Sequence, residues 1–272
     1  MGDNFLNNIK LIVTDLDGTL LNNNHKISEY NKNVINEVCK KDIKVILATG
    51  RPTLSACKFL YELNINTELI SFNGAMITDK KSNIIYQENL NPNIGKKLIN
   101  IAKHYKIFYQ GFLGDRWNIG YFDKKWLDFY ISIAKIENYD IGFDNIDDFS
   151  FTKFMYIGEN SIIKKIAKEL DKTFNDSIYY TFSSSFYLEV HSKNVSKANA
   201  LDYLAKNKYN INRNNIMAFG DNNNDLEMLE FANISVAVEN AEDIVKQKSK
   251  YITKTNEDNG VGYFINEYFN LS

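Results

Sequence analysis

Short apolar runs alternate with stretches of helical periodicity through the first third of the chain. IKLIVTD (9–15), KVILAT (44–49) and ELISFNG (68–74) are continuous apolar runs of strand length, which reads as strands buried on both faces. Between the first two, Ser28 precedes a helical pattern that runs to about Lys41, and its hydroxyl suits the cap position. Pro52 opens another helix, since its missing N–H is not needed in the first turn. The same alternation returns after 197, with a helix, the strand NIMAFGD (215–221), a helix near 224–231, the strand ISVAV (234–238) and terminal helices. Strand, helix, parallel strand is the signature of an α/β fold.

Between about 75 and 190 the period changes. MITDKKSNIIYQENL reads as a hairpin, and IFYQGFL (107–113) and WNIGYF (117–122) as paired strands. TKFMYIG (152–158), a helix at 161–173 and strands at 178–183 and 186–190 follow. Hairpins mixed with helices predict an α+β insert. The expected organisation is an α/β core formed by 1–80 and 190–272, interrupted by a domain at 81–189.

Composition narrows the function. The 272 residues carry 32 Lys+Arg against 34 Asp+Glu, a net charge of -2, so nothing draws the chain to nucleic acid or to an anionic membrane. Neither is expected as a partner, and no protein partner is predicted. Cys39 and Cys57 are too few for a disulfide framework or a four-ligand zinc site. No basic region leads into an apolar run at the N-terminus, and Leu6 stands where a myristoylation signal needs Ser or Thr. No stretch approaches the ~20 apolar residues that span a bilayer. A cytoplasmic enzyme is expected.

In an open parallel sheet, ligands bind beyond the carboxyl ends of the strands. The first strand ends in Asp15-Leu16-Asp17-Gly18-Thr19, the second in Thr49-Gly50-Arg51, and the strand at 215–221 in Gly220-Asp221, with Lys197 at the start of the helix before it. Asp15, Asp17 and Asp221 would crowd together, and three carboxylates repel one another unless a cation is held among them. Oxygen-only ligands favour a hard ion, and Mg2+ fits best. Taken alone, Asp-x-Asp could equally be a surface turn, a calcium loop or a glycosyltransferase metal site. An EF-hand loop is disfavoured because Gly18 comes too early and a strand leads in.

DLDGTLL at 15–21, ATGR at 48–51, Lys197 within VSKANAL and GDNNND at 220–225 resemble, in order, the four motifs of the haloacid dehalogenase superfamily. FNGA at 72–75 and the long insert resemble its Cof-type branch. The resemblance implies a Rossmann-like core with an inserted α+β cap domain, and a magnesium-dependent phosphatase of sugar phosphates and similar small phosphorylated substrates. It implies Asp15 as nucleophile, Asp17 as general acid and base with its carbonyl oxygen on the metal, and Asp221 as a metal ligand. Thr49, Gly50 and Lys197 would bind phosphate, Asp225 would hold the metal's waters or Lys197, and Asn224 would contact phosphate or position Asp225. Arg51 would bind substrate or pair with a carboxylate, and Asn73 would face the site from its turn. Where the family commonly has glycine on either side of Val-Ser-Lys, this chain has Asn194 and Ala198. Asn194 suits a left-handed backbone, whereas Ala198 adds a methyl near the phosphate side.

His25, His104 and His191 show no spacing for a metal site or a triad, and Arg116, Trp117 and Tyr187 are candidates for substrate selectivity from the insert. Two other readings compete: a phosphomannomutase-like mutase of the same fold, and a signalling receiver or other non-catalytic phosphate-binding module. Receivers run near 120 residues without an insert and lack the second carboxylate two residues on.

Overall fold

Strand β1 (Leu11–Thr14) is buried at all four positions, as a strand in the middle of a parallel sheet must be. It is followed by α1 (Glu29–Lys40), β2 (Lys44–Ala48), the short helices α2 (Thr53–Ala56) and α3 (Lys58–Glu62), β3 (Leu69–Ser71), β4 (Met76–Thr78) and β5 (Ile84–Gln87). Next come α4 (Pro92–Tyr105), β6 (Phe108–Leu113), β7 (Arg116–Ile119), α5 (Lys124–Ala134), β8 (Asp140–Ile141), β9 (Lys153–Ile157), α6 (Asn160–Phe174), β10 (Ile178–Ser184) and β11 (Tyr187–Ser192). The chain ends with α7 (Lys197–Leu204), β12 (Ile216–Gly220), α8 (Leu226–Phe231), β13 (Ile234–Ala237), α9 (Asp243–Lys248), β14 (Tyr251–Ile252) and α10 (Gly260–Phe269). The structure is a computed structural model that describes residues 8–134, 136–143, 146 and 148–271. Two compact units result: one from the described residues up to Gly50, Ala56–Ile85 and Ser196 onward, the other from Arg51–Ser55 and Tyr86–Val195.

The first unit holds a sheet in the order β14-β13-β12-β1-β2-β3-β4-β5, parallel from β14 to β3. Two features depart from the sequence expectation. The hairpin expected to open the insert instead extends this sheet, with β4 antiparallel to β3, because the Phe72–Gly74 turn is tight enough to return the chain alongside its own strand. The expected run of terminal helices is broken by β14, a two-residue edge strand. Helix α1 starts where Ser28 Oγ accepts the Asn31 N–H at 3.1 Å, and it buries Asn31, Val34, Ile35 and Val38, a helical i, i+3, i+4, i+7 stripe.

The second unit is a six-stranded sheet, β10-β11-β9-β6-β7-β8, antiparallel except between β7 and β8. Alternate strand residues Tyr109, Phe154, Tyr156, Leu188 and Val190 form a core with Leu98 and Ala102 of α4 and Ile163, Ile166 and Leu170 of α6. Lys153, Glu189 and His191, at the intervening positions, are buried as well. Lys153 Nζ lies 2.7 Å from Glu189 Oε1, and Ser183 Oγ donates to that oxygen at 3.0 Å. His191 Nδ1 is 3.3 Å from the Thr152 carbonyl. Its Nε2 is 3.8 Å from Glu189 Oε2, too far for a hydrogen bond, and has no other partner among the described residues.

Burial works to raise the Glu189 pKa, but Lys153 and His191 outweigh it and bring the carboxyl down to about 2. Burial dominates at His191 and lowers its pKa below the ordinary 6.5. As pH falls below 6.5 the unfolded chain therefore takes up a proton that folded His191 refuses, and stability is lost. Glu189 adds a second loss from about 4.5 downward, as the pH nears its folded value of about 2. As pH falls from 7.5 to 5, the melting temperature of His191→Gln should rise relative to that of the wild type, because the variant lacks this loss. Equal slopes would show that His191 does not titrate as its surroundings dictate.

Candidate active site

Because β1, β2, β3 and β12 run parallel, the residues that follow them leave the sheet at one edge. Asp15 follows β1, Thr49 follows β2, the turn containing Asn73 follows β3 and Asp221 follows β12. Lys197 is the first residue of α7, whose start is capped by Ser196 Oγ accepting the Asn199 N–H at 3.1 Å. Gly74, at φ 102, lets the β3 turn meet that helix start: a Cβ there would stand 2.1 Å from the Ser196 carbonyl oxygen. No other residue fits.

Lys197 is the centre of the cluster. Its ammonium contacts Asp15 Oδ1 at 2.5 Å and Asp225 Oδ1 at 2.7 Å, and all three side chains are buried. The other Asp225 oxygen accepts the backbone N–H groups of Asp221 and Asn222, each at 3.1 Å. Asp225 thus fixes both the Lys197 head and the start of the loop that carries Asp221. A Cβ at Gly220 would collide with Asp225 at 2.5 Å, so the strand must end in glycine for the loop to close.

The loop that carries Asp15 is braced from distant segments. Thr19 Oγ1 donates to Asp221 Oδ1 at 2.7 Å, and Asn240 Nδ2 donates to the Gly18 carbonyl at 2.7 Å. Gly18 has φ 80, and a Cβ there would press on the Asp221 carboxylate at 2.5 Å. Asn256 Nδ2 donates to the Leu21 carbonyl at 2.9 Å while its N–H donates to Asn240 Oδ1 at 2.8 Å. On the other side, the Asn73 N–H donates to the Thr49 carbonyl at 2.9 Å, and Asn224 Nδ2 donates to Asn73 Oδ1 at 2.9 Å. Gly50 lies against Asn73, with room for no side chain.

The electrostatics call for a further cation. Asp15, Asp221 and Asp225 offer oxygens all within 4.8 Å of one another, beside the Lys197 ammonium. Burial raises the Asp15 pKa well above the carboxylate range; Lys197 opposes that, while Asp225, Asp221 and Asp17 add to it. Burial and then Asp225 push Asp221 up to about 6, with Thr19 and Lys197 pulling the other way. For Lys197, burial works to lower the pKa, but Asp15 and Asp225 prevail and hold it charged. Carboxylates kept from ionising by burial and by one another's charge, with only oxygen donors present, suit a hard divalent cation.

Of the residues singled out from sequence, Asp15, Thr49, Gly50, Asn73, Lys197, Asp221, Asn224 and Asp225 belong to this edge. The acidic set differs from the expected one: Asp225 stands with Asp15 and Asp221, while the Asp17 carboxylate turns away to His25, whose Nδ1 lies 3.3 Å from its Oδ1. Gly18 follows at φ 80, so the chain turns directly after Asp17. Arg51 is half-buried and falls in the other unit. Asn194 does not have positive φ, so this position uses none of the freedom a glycine would bring. Ala198 is buried in the first turn of α7. Thr19, His25, Asn240 and Asn256 were not singled out as site residues. Only Thr19 had a signal, as the hydroxyl inside DLDGTLL.

The fold and the carboxylate edge are those of a hydrolase of the α/β class. A Thermotoga maritima protein of solved structure superposes with a TM-score of 0.87 at 30% identity, over 95% of this chain and 97% of the other. A 5-amino-6-(5-phospho-D-ribitylamino)uracil phosphatase of Bacillus subtilis is 34% identical over 96% of both chains. A second B. subtilis phosphatase of that description is 30% identical over 96% of this chain and 98% of its own. The haloacid dehalogenase-like hydrolase family matches residues 12–265, and this chain belongs to it.

Proposed function

We propose that the protein is a magnesium-dependent phosphatase of small phosphorylated metabolites, with sugar or polyol phosphates as the substrate class. The observation that carries this reading is the Lys197 bridge between Asp15 and Asp225, with Asp221 within ligand distance. It sets a nucleophile, a fixed positive charge and a metal donor set around one point. Asp15, Asp221 and the Asp17 carbonyl would hold Mg2+, which when bound would offset the charge of the incoming phosphate.

Asp15, which a bound divalent cation would keep ionised, attacks phosphorus through a carboxylate oxygen, and the bond from phosphorus to the substrate's alcohol oxygen breaks. Asp17 gives that oxygen its proton, then takes one from the water that cleaves the aspartyl-phosphate. Lys197, the Thr49 hydroxyl and the Gly50 N–H stabilise charge on the phosphoryl oxygens. Asn224 and Asn73 brace the Thr49 loop. The substrate class is supported by the two B. subtilis relatives, which by name act on a phosphoribityl compound.

Chelation with EDTA should abolish hydrolysis of p-nitrophenyl phosphate. Magnesium should restore it, and calcium, which accepts looser geometry, should support less. Magnesium should also raise the melting temperature of the EDTA-treated protein, because it relieves the repulsion among Asp15, Asp221 and Asp225. Activity undiminished in EDTA would overturn the metal assignment. Phosphate release across a panel of phosphorylated sugars and polyols then tests the substrate class.

A further inference from the structure

Thr19 takes no part in the chemistry above, yet its side chain is fully buried and its hydroxyl donates to Asp221 Oδ1 at 2.7 Å. Among the described residues this is the one hydrogen bond that the Asp221 carboxylate accepts. Both partners are anchored. The segment that carries Thr19 closes where the Leu21 N–H donates to the Leu16 carbonyl at 2.8 Å, and the Gly18 and Leu21 carbonyls on either side of it are tied to Asn240 and Asn256. The Asp221 N–H donates to Asp225 Oδ2 at 3.1 Å, and its carbonyl accepts the Glu242 N–H at 2.9 Å. With the backbone of residue 221 fixed at both ends, rotation of the carboxylate is the freedom that remains, and the Thr19 hydroxyl removes it. An Asp221 left to rotate would turn away from the oxygens of Asp15 and Asp225, which lie within 4.8 Å and carry like charge. Folding alone gives no reason to hold it there.

We infer that Thr19 is a positioning residue that makes Asp221 a one-oxygen ligand and thereby sets the preference of the site for Mg2+ over Ca2+. This rests on Asp221 serving as a metal ligand. Mg2+ demands near-octahedral geometry at about 2.0–2.1 Å, which suits one oxygen per carboxylate. Ca2+ takes six to eight oxygens at about 2.3–2.6 Å and readily uses both oxygens of one carboxylate. A carboxylate pinned through Oδ1 cannot swing to bring both oxygens onto an ion. The hydrogen bond therefore costs Mg2+ nothing and denies Ca2+ a contact that it exploits. The hydroxyl is uncharged, so it orients the carboxylate without competing with the cation for its charge, and removing it frees Asp221 for either mode of binding.

The test is metal binding without substrate. Protein freed of metal with EDTA and dialysed is titrated calorimetrically with magnesium chloride and, separately, with calcium chloride. Thr19→Val keeps the branched shape and loses the hydroxyl. The ratio of the Ca2+ to the Mg2+ dissociation constant should fall about tenfold in this variant, chiefly through weaker Mg2+ binding, the scale expected when the group behind a metal ligand is removed. Thr19→Ser restores the donor and should keep the wild-type ratio. Equal weakening of both ions in Thr19→Val, as a merely structural role would give, would overturn the inference, and so would a Ser variant shifted like the Val variant. Thr19→Ala is read in the same way if the Val variant does not fold. Asp221→Asn is the control. If it binds Mg2+ as tightly as the wild type, the assignment of Asp221 as a ligand fails; if it loses Mg2+ while Thr19→Val keeps the wild-type ratio, only the role of Thr19 fails.

Discussion

Asp15→Asn is expected to reduce phosphate release from p-nitrophenyl phosphate by on the order of 10⁴-fold or more, the scale of removing a covalent nucleophile. The amide matches the carboxylate in shape and still offers Lys197 an oxygen, but it cannot displace an alcohol from phosphorus. The fold should survive the change. Burial already pushes the Asp15 pKa well above the carboxylate range, and Asp225, Asp221 and Asp17 push the same way. The charge removed is therefore one that the folded chain holds against opposition. Thermal melts should show an unaltered or raised midpoint. Near wild-type turnover in a folded variant would refute Asp15 as nucleophile.

Lys197→Ala should damage both catalysis and folding. Lys197 is 1% exposed and is the cation between Asp15 and Asp225. Without it, two buried carboxylates face each other, and removing one partner of a buried pair typically costs about 3–5 kcal/mol. Turnover should fall by roughly 10²–10³-fold through the lost stabilisation of phosphoryl charge. The sign of the pH dependence follows from the carboxylates. With pKa values raised in the folded state, their ionisation costs stability as pH rises from the unfolded value of 3.8 through the folded one, which is about 6 for Asp221. The urea midpoint deficit of Lys197→Ala, measured in EDTA, should thus be larger at pH 8 than at pH 4.5. A variant with unchanged midpoint and rate would remove Lys197 from the site.

The α/β class and the family were legible because three of the four motifs end a buried strand, and parallel pairing gathers strand ends whatever their separation in sequence. Asp15, Thr49 and Asp221 could be placed that way. Direction of pairing was not legible for β4 and β5: an apolar run looks the same whether it continues one sheet or opens another, and only the turn at Asn73 decides. Lys153, Glu189 and His191 were invisible as a group, because they lie on two strands nearly forty residues apart and each alone passes for a strand residue at a solvent-facing position. The contact of Asp17 with His25 involves a loop in which His25 has φ 55, and dihedral angles leave little trace in residue identity. Asn240 and Asn256 were hidden for a different reason. In a chain so rich in asparagine, two more carry no signal.

Thr19 and Asp221, joined by one hydrogen bond, are 202 residues apart, and β1 lies between β2 and a strand that begins at Ile216. During synthesis at about 5–20 residues per second, β1 waits roughly 10–40 s for that second neighbour to be made. For most of that interval the nascent polypeptide carries DLDGTLL without the lysine, and throughout it without the acidic loop. Truncated or stalled translation products therefore lack a complete site, and a ribosome-bound chain leaves an apolar strand edge open to chaperones until its last quarter emerges.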